Sequence, residues 1–145
     1  MSVGLLLITH SPLAGNLLRV ATDILGACPP GVEALEVIND TPCEELIAEG
    51  LLRAARLDQG DGVLILTDLF GSTPANVAMV LLERCAQARV LAGVNLPMLL
   101  RALNYASQDL DVVAEKAMQG GRDGVRLCSA PGEQRKVSVR RVQTR

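Results

Sequence analysis

The one imidazole in this 145-residue chain, His10, closes an apolar run, Val3-Gly4-Leu5-Leu6-Leu7-Ile8-Thr9, and stands just ahead of a helical pattern. An imidazole serves as ligand, base or nucleophile, and its charge changes near physiological pH. A second apolar run, Gly62-Val63-Leu64-Ile65-Leu66-Thr67, ends on Asp68. A carboxylate beside an imidazole selects its tautomer and leaves the other ring nitrogen more basic and nucleophilic. It also stabilises the cationic ring that forms when that nitrogen is bonded. Between Asp68 and the next helical stretch lies Leu69-Phe70-Gly71-Ser72-Thr73-Pro74. A glycine-containing loop at a helix start offers unpaired N–H groups at the positive end of the helix dipole, a concavity suited to phosphate. Ser72 and Thr73 add hydroxyl donors. Thr73 ranks below the backbone groups because it is also a candidate helix cap.

These parts suit transient phosphorylation of the His10 ring, with the phosphoryl oxygens held by Gly71–Thr73. The chain has no GxxxxGK[ST] sequence and no kinase signature set, so the expected phosphoryl donor is another protein and not ATP. No carboxylate cluster beside Asp68 suggests a magnesium site, and neither metal nor cofactor is expected. Taken singly, each part also has a structural reading: His10 as a polar residue leaving the core, Asp68 as a turn residue, Gly71–Pro74 as an ordinary helix start. The chemical reading requires a fold that gathers them at one corner.

The elements that must do so are legible as alternating short apolar runs and helical patterns. Val3–Thr9 reads as a buried strand, and Pro12–Gly26 as a helix stopped by Gly26. Val32–Ile38 mixes apolar and acidic positions, as in a half-covered edge strand. Thr41 caps and Pro42 opens a predicted helix reaching Leu57. After the Gly62–Thr67 strand, Thr73-Pro74 repeats that signature for a helix to Cys85. Arg89–Val94 follows as a strand, Leu96–Tyr105 as a helix, and Leu110–Gln119 as a helix ended by Gly120-Gly121. Val125–Cys128 is expected as a final short strand. This alternation predicts an α/β fold with an open, mainly parallel four-stranded sheet flanked by helices on both faces. With strand order 2-1-3-4, the topological switch point brings His10 and Asp68 together.

Bulk properties set limits. One Phe, one Tyr and no Trp mean an aliphatic core and no platform for stacking bases, which argues against single-stranded nucleic-acid binding. Four scattered cysteines without a CxxC pair fit a reduced, cytoplasmic protein. No apolar run is long enough to cross a bilayer, and no cleavable leader is evident. Residues 1–133 carry nine basic and sixteen acidic side chains, whereas 134–145 carry five basic and none acidic. The expected organisation is a single domain over 1–128, then a basic tail over 129–145 that is a solvated terminus or a contact for an acidic partner or membrane surface.

The stretches Leu7–His10, Gly62–Asn76, Ala92–Leu99 and Gly121–Val125, in this order and spacing, resemble the enzyme IIA component of the mannose class of the bacterial sugar phosphotransferase system. The resemblance implies that His10 accepts a phosphoryl group from the histidine-phosphorylated carrier HPr and passes it to a IIB partner, with Asp68 orienting the ring. It further implies a homodimer that exchanges the strand near Val125–Cys128, and places Asn95 and Pro97 in a loop beside the site. Where that family often has glycine after the histidine, this chain has Ser11, whose hydroxyl could donate to the phosphate. Phe70, at an aromatic position of the family, is expected on the docking surface. No IIB domain follows in the sequence, so a stand-alone regulatory IIA module is an alternative role, as is the phosphoryl-donor subunit of a dihydroxyacetone kinase. A plain small-anion-binding domain with a structural His10 is the remaining alternative.

Overall fold

A computed structural model describes residues 2–27, 29 and 31–131. The elements are β1 (Gly4–His10), α1 (Leu13–Leu25), β2 (Val32–Val37), α2 (Cys43–Leu57), β3 (Val63–Thr67), α3 (Thr73–Arg84), β4 (Ala88–Ala92), α4 (Leu96–Tyr105) and α5 (Leu110–Asp123). All four strands are parallel, in the order β2-β1-β3-β4 expected from the sequence. β1 and β3 are central, so both their faces are covered, which is why they read as unbroken apolar runs.

Period-2 alternation sends Leu6, Ile8 and Ile65 to one face, against Val77, Ala78 and Leu81 of α3 and Leu46 of α2. Leu5, Leu7, Leu64 and Leu66 go to the other, against Ala14 and Ala21 of α1, Leu99 of α4 and Val113 of α5. The core is aliphatic on both sides. Fully burying each such side chain contributes roughly 1.5–3 kcal/mol.

Several expectations change in detail. Glu33 and Glu36 of β2 lie on opposite faces. Glu33 pairs with Arg56 of α2 at 2.6 Å, while Glu36 reaches the start of α1. β2 is thus an edge strand flanked on both faces, and Arg53 donates to its Ala34 carbonyl at 2.9 Å. Thr41 does not cap α2, because Pro42 occupies the N-cap position and the helix begins at Cys43. β4 ends at Ala92, short of Val94, because Gly93 turns the chain at φ +90° and the N–H groups of Gly93 and Val94 both bond the Thr67 carbonyl.

The largest change is in α5. It does not stop at Gly120-Gly121 but runs through both glycines to Asp123. A Cβ at Gly120 would lie 2.7 Å from the Arg101 Cβ, and one at Gly121 would lie 2.8 Å from the Met98 Cε. The glycine pair therefore lets α5 lie against α4 instead of ending the helix. Beyond Asp123, Val125–Cys128 forms no strand among the described residues, and Val125 and Leu127 are exposed. Among the described residues no strand pairs with this segment, and a strand needs a neighbour for its backbone groups. Cys43, Cys85 and Cys128 are free thiols. Cys28 and the basic tail from 132 onward lie outside the described residues.

Candidate functional site

The β1–β3 ladder ends with Ile8 opposite Thr67, which sets His10 and Asp68 side by side at the carboxyl end of the two central strands. The Asp68 carboxylate holds His10 twice. Its Oδ2 lies 2.7 Å from the ring Nδ1 and accepts the His10 backbone N–H at 3.0 Å. Oδ1 accepts the Leu69 N–H at 3.0 Å. The Asp68 side chain is mostly covered, whereas that of His10 is 49% exposed. Burial pushes the Asp68 carboxyl upward, but the hydrogen bonds from the His10 ring and backbone, together with the ring's charge, outweigh it and hold the group below its ordinary value. An ionised carboxylate can only accept, so it takes the Nδ1 proton and leaves Nε2 as the ring nitrogen with the free lone pair.

The loop after Asp68 turns at Gly71, whose φ of +85° lies in the left-handed region. Ser72, and not Thr73, takes the N-cap position of α3, and its hydroxyl donates to the Leu69 carbonyl at 2.6 Å instead of capping. Thr73 and Pro74 are the first two helical residues. Among the described residues the N–H groups of Gly71 and Thr73 make no backbone hydrogen bond. They are part of the unsatisfied donor set at a helix start. The sequence expectation for Thr73 is thus corrected: its hydroxyl is not used as a cap, because the helix begins at Thr73 itself, one residue earlier than that role requires.

Ser11 is exposed and bonds the Val37 carbonyl through its N–H at 3.0 Å. Leu69 and Phe70 project at the rim, 62% and 83% exposed. The bonds from Gly93 and Val94 to Thr67 bring the β4–α4 loop alongside the end of β3. Asn95 is occupied within that loop. Its Oδ1 caps α4 by accepting from Met98 N–H at 2.9 Å, and its amide donates to the Gly121 carbonyl at 3.0 Å. Pro97 packs toward Gly120 and Gly124 of the α5 end while remaining exposed. Neither residue makes a hydrogen bond to the His10–Asp68 pair. Among the described residues no three His, Cys, Asp or Glu side chains converge as a metal site, and no helix is long and apolar enough to cross a membrane.

Two residues that the sequence reading passed over also converge here. Thr9 is fully buried, and its hydroxyl donates to the His10 carbonyl at 2.9 Å while accepting from Ala14 N–H at 2.8 Å. Glu36 accepts from Ala14 and Gly15 N–H at 3.2 and 3.3 Å. The available signals were a lone hydroxyl closing an apolar run and an acid on the inner face of β2.

Fold and site together define a doubly wound α/β protein with a histidine–carboxylate pair at the switch point of its sheet and a helix-start loop beside it. Residues 4–118 match the family described as PTS system fructose IIA component, and the chain belongs to this fructose/mannose class of phosphotransferase-system IIA components. It is 32% identical over 132 residues to the mannose-specific EIIAB component of Escherichia coli strain K12, covering 90% of this chain. The chain spans 41% of that relative's length. The mannose/sorbose-specific IIA subunit from Enterococcus faecalis superposes with a TM-score of 0.79 at 28% identity, covering 90% of this chain and 98% of that one. A IIA component from Streptococcus agalactiae has the same fold, with a TM-score of 0.77 at 22% identity over 86% of this chain and 96% of its own.

Proposed function

We propose that the protein is a phosphohistidine carrier, in which His10 accepts a phosphoryl group from phosphorylated HPr and passes it to a IIB protein. The observation that carries this reading is the double hold of Asp68 on His10, through ring Nδ1 at 2.7 Å and backbone N–H at 3.0 Å. It leaves Nε2 of a half-exposed ring as the nucleophile. The Nε2 lone pair attacks the donor's phosphorus, the donor's P–N bond breaks, and its imidazole departs with that electron pair. The His10 ring becomes cationic while keeping its Nδ1 proton, and Asp68 stabilises the charge. Transfer to the acceptor reverses these steps. The Gly71 and Thr73 N–H groups and the Ser11 and Thr73 hydroxyls are the proposed holders of the phosphoryl oxygens, while the Ser72 hydroxyl, donated to the Leu69 carbonyl, shapes the loop.

Exposed Phe70, with Leu69 beside it and Pro97 across the loop, is the proposed docking rim. Asn95 serves that rim by fixing the loop. A IIB acceptor is proposed because the curated relative is named an EIIAB component. A homodimer is proposed because Val125 and Leu127, 72% and 81% exposed, form an unpaired apolar segment suited to a second copy. Incubation with radiolabelled phospho-HPr tests the carrier reading: the protein gains one label per chain, and added IIB protein discharges it. A chain that takes no label from phospho-HPr contradicts it.

A further inference from the structure

Two side chains outside this reaction scheme close the turn that presents His10. α1 has Pro12 at its N-cap position and no side-chain cap there, so its first N–H groups need acceptors from elsewhere. Both acceptors come from the sheet. Thr9 and Glu36 are opposite each other in the β1–β2 ladder, and both bind the Ala14 N–H, at 2.8 and 3.2 Å. Glu36 also takes the Gly15 N–H at 3.3 Å. The same Thr9 hydroxyl donates to the His10 carbonyl at 2.9 Å, while Asp68 takes the His10 N–H at 3.0 Å. The backbone of His10 is thereby held at both ends, its N–H toward β3 and its carbonyl through Thr9 to the start of α1. A hydroxyl at a fully buried position is costly unless bonded, and this one both donates and accepts.

We propose that Thr9 and Glu36 are positioning residues for His10, holding its backbone so that the ring reaches Asp68 through Nδ1 and presents Nε2 outward. The inference rests on the carrier reading for its kinetic consequence, and on geometry alone for its effect on the ring. A displacement of about 1 Å at a reacting group can slow a reaction by roughly 100-fold. Thr9→Val keeps the shape of the side chain and removes both of its hydrogen bonds, whereas Thr9→Ser keeps the hydroxyl.

The test reads nitrogen-15 shifts of the His10 ring in the unphosphorylated protein, and turnover and KM for phospho-HPr. Thr9→Val is expected to lower the share of the Nδ1–H tautomer and to slow turnover by about 10-fold to 100-fold with KM unchanged, as when a group orienting a reactive ligand is lost. Thr9→Ser is expected to restore both. If Thr9→Val does not fold, Glu36→Ala carries the same readouts with Glu36→Gln as the partly restoring change, since its one amide oxygen takes one of the two N–H groups, and the expected loss is smaller because the Thr9 bonds persist. A folded variant that melts earlier yet keeps the wild-type tautomer share and turnover overturns the inference, since the two residues would then only stabilise α1. A wild-type protein that accepts no phosphoryl group sinks the carrier reading, and the tautomer share then decides the positioning claim by itself.

Discussion

At the scale of single residues, Asp68 concentrates the consequences, because its two oxygens hold the His10 ring, the His10 backbone and the start of the following loop. Asp68→Ala is expected to leave the circular-dichroism spectrum intact and to slow phosphoryl acceptance by about 10-fold to 100-fold. Wild-type rates in that variant would show that Asp68 does not orient His10. The carboxyl also carries a pH signature. Its value is lowered by folding, so its contribution to stability is complete above the unfolded carboxylate value of about 3.9 and is lost as pH falls through the folded value. Urea unfolding of wild type and Asp68→Asn should therefore show a stability difference at neutral pH that shrinks below about pH 4. His10 and Asp68 were legible in the sequence because one ends and the other directly follows a strand of unmistakable composition. Thr9 and Glu36 were not, since their roles depend on the β1–β2 register and on where α1 begins.

At the scale of elements, the alternation of apolar runs and helical patterns sufficed for the parallel sheet and its strands, because buried parallel strands have a distinctive composition, while the order 2-1-3-4 entered as the condition that joins His10 and Asp68. It failed where a residue's meaning lies in its neighbour. Gly120-Gly121 reads as a helix stop in one dimension, yet in three it is the surface on which α5 meets Arg101, Met98 and Pro97 of α4. Gly120→Ala is accordingly expected to destabilise by about 1–3 kcal/mol through overpacking, even though alanine has the better helix propensity by roughly 1 kcal/mol. Gly121→Ala should cost less, since the atom its Cβ meets first is the flexible end of Met98. Urea denaturation measures both, and a Gly120→Ala protein more stable than wild type would contradict the packing role. Thr73 was misassigned for a related reason: the Thr-Pro pair reads as a cap followed by the first helical residue, yet Pro74 is the second helical residue and Ser72 holds the N-cap position.

At the scale of the whole molecule, the exposed apolar surface is organised. Leu13, Val20 and Ile24 lie along one side of α1, Leu69 and Phe70 project at the site, and Val125 and Leu127 follow α5. Sedimentation is expected to give a dimer, retained after deletion beyond Pro131 and lost after deletion beyond Gly124. Loss of the dimer on the shorter deletion would instead give the basic tail a packing role. That Val125–Cys128 forms no strand among the described residues could not be read from composition, because an isolated strand pattern does not say what pairs with it. Each of these levels bears on the proposed phosphorylation of His10. Wild-type protein and His10→Ala, incubated with phosphoenolpyruvate, enzyme I and HPr, test it most directly. Acid-labile phosphate mapped to His10 in the wild type and absent from the variant is the predicted result, and undiminished labelling of His10→Ala would contradict it.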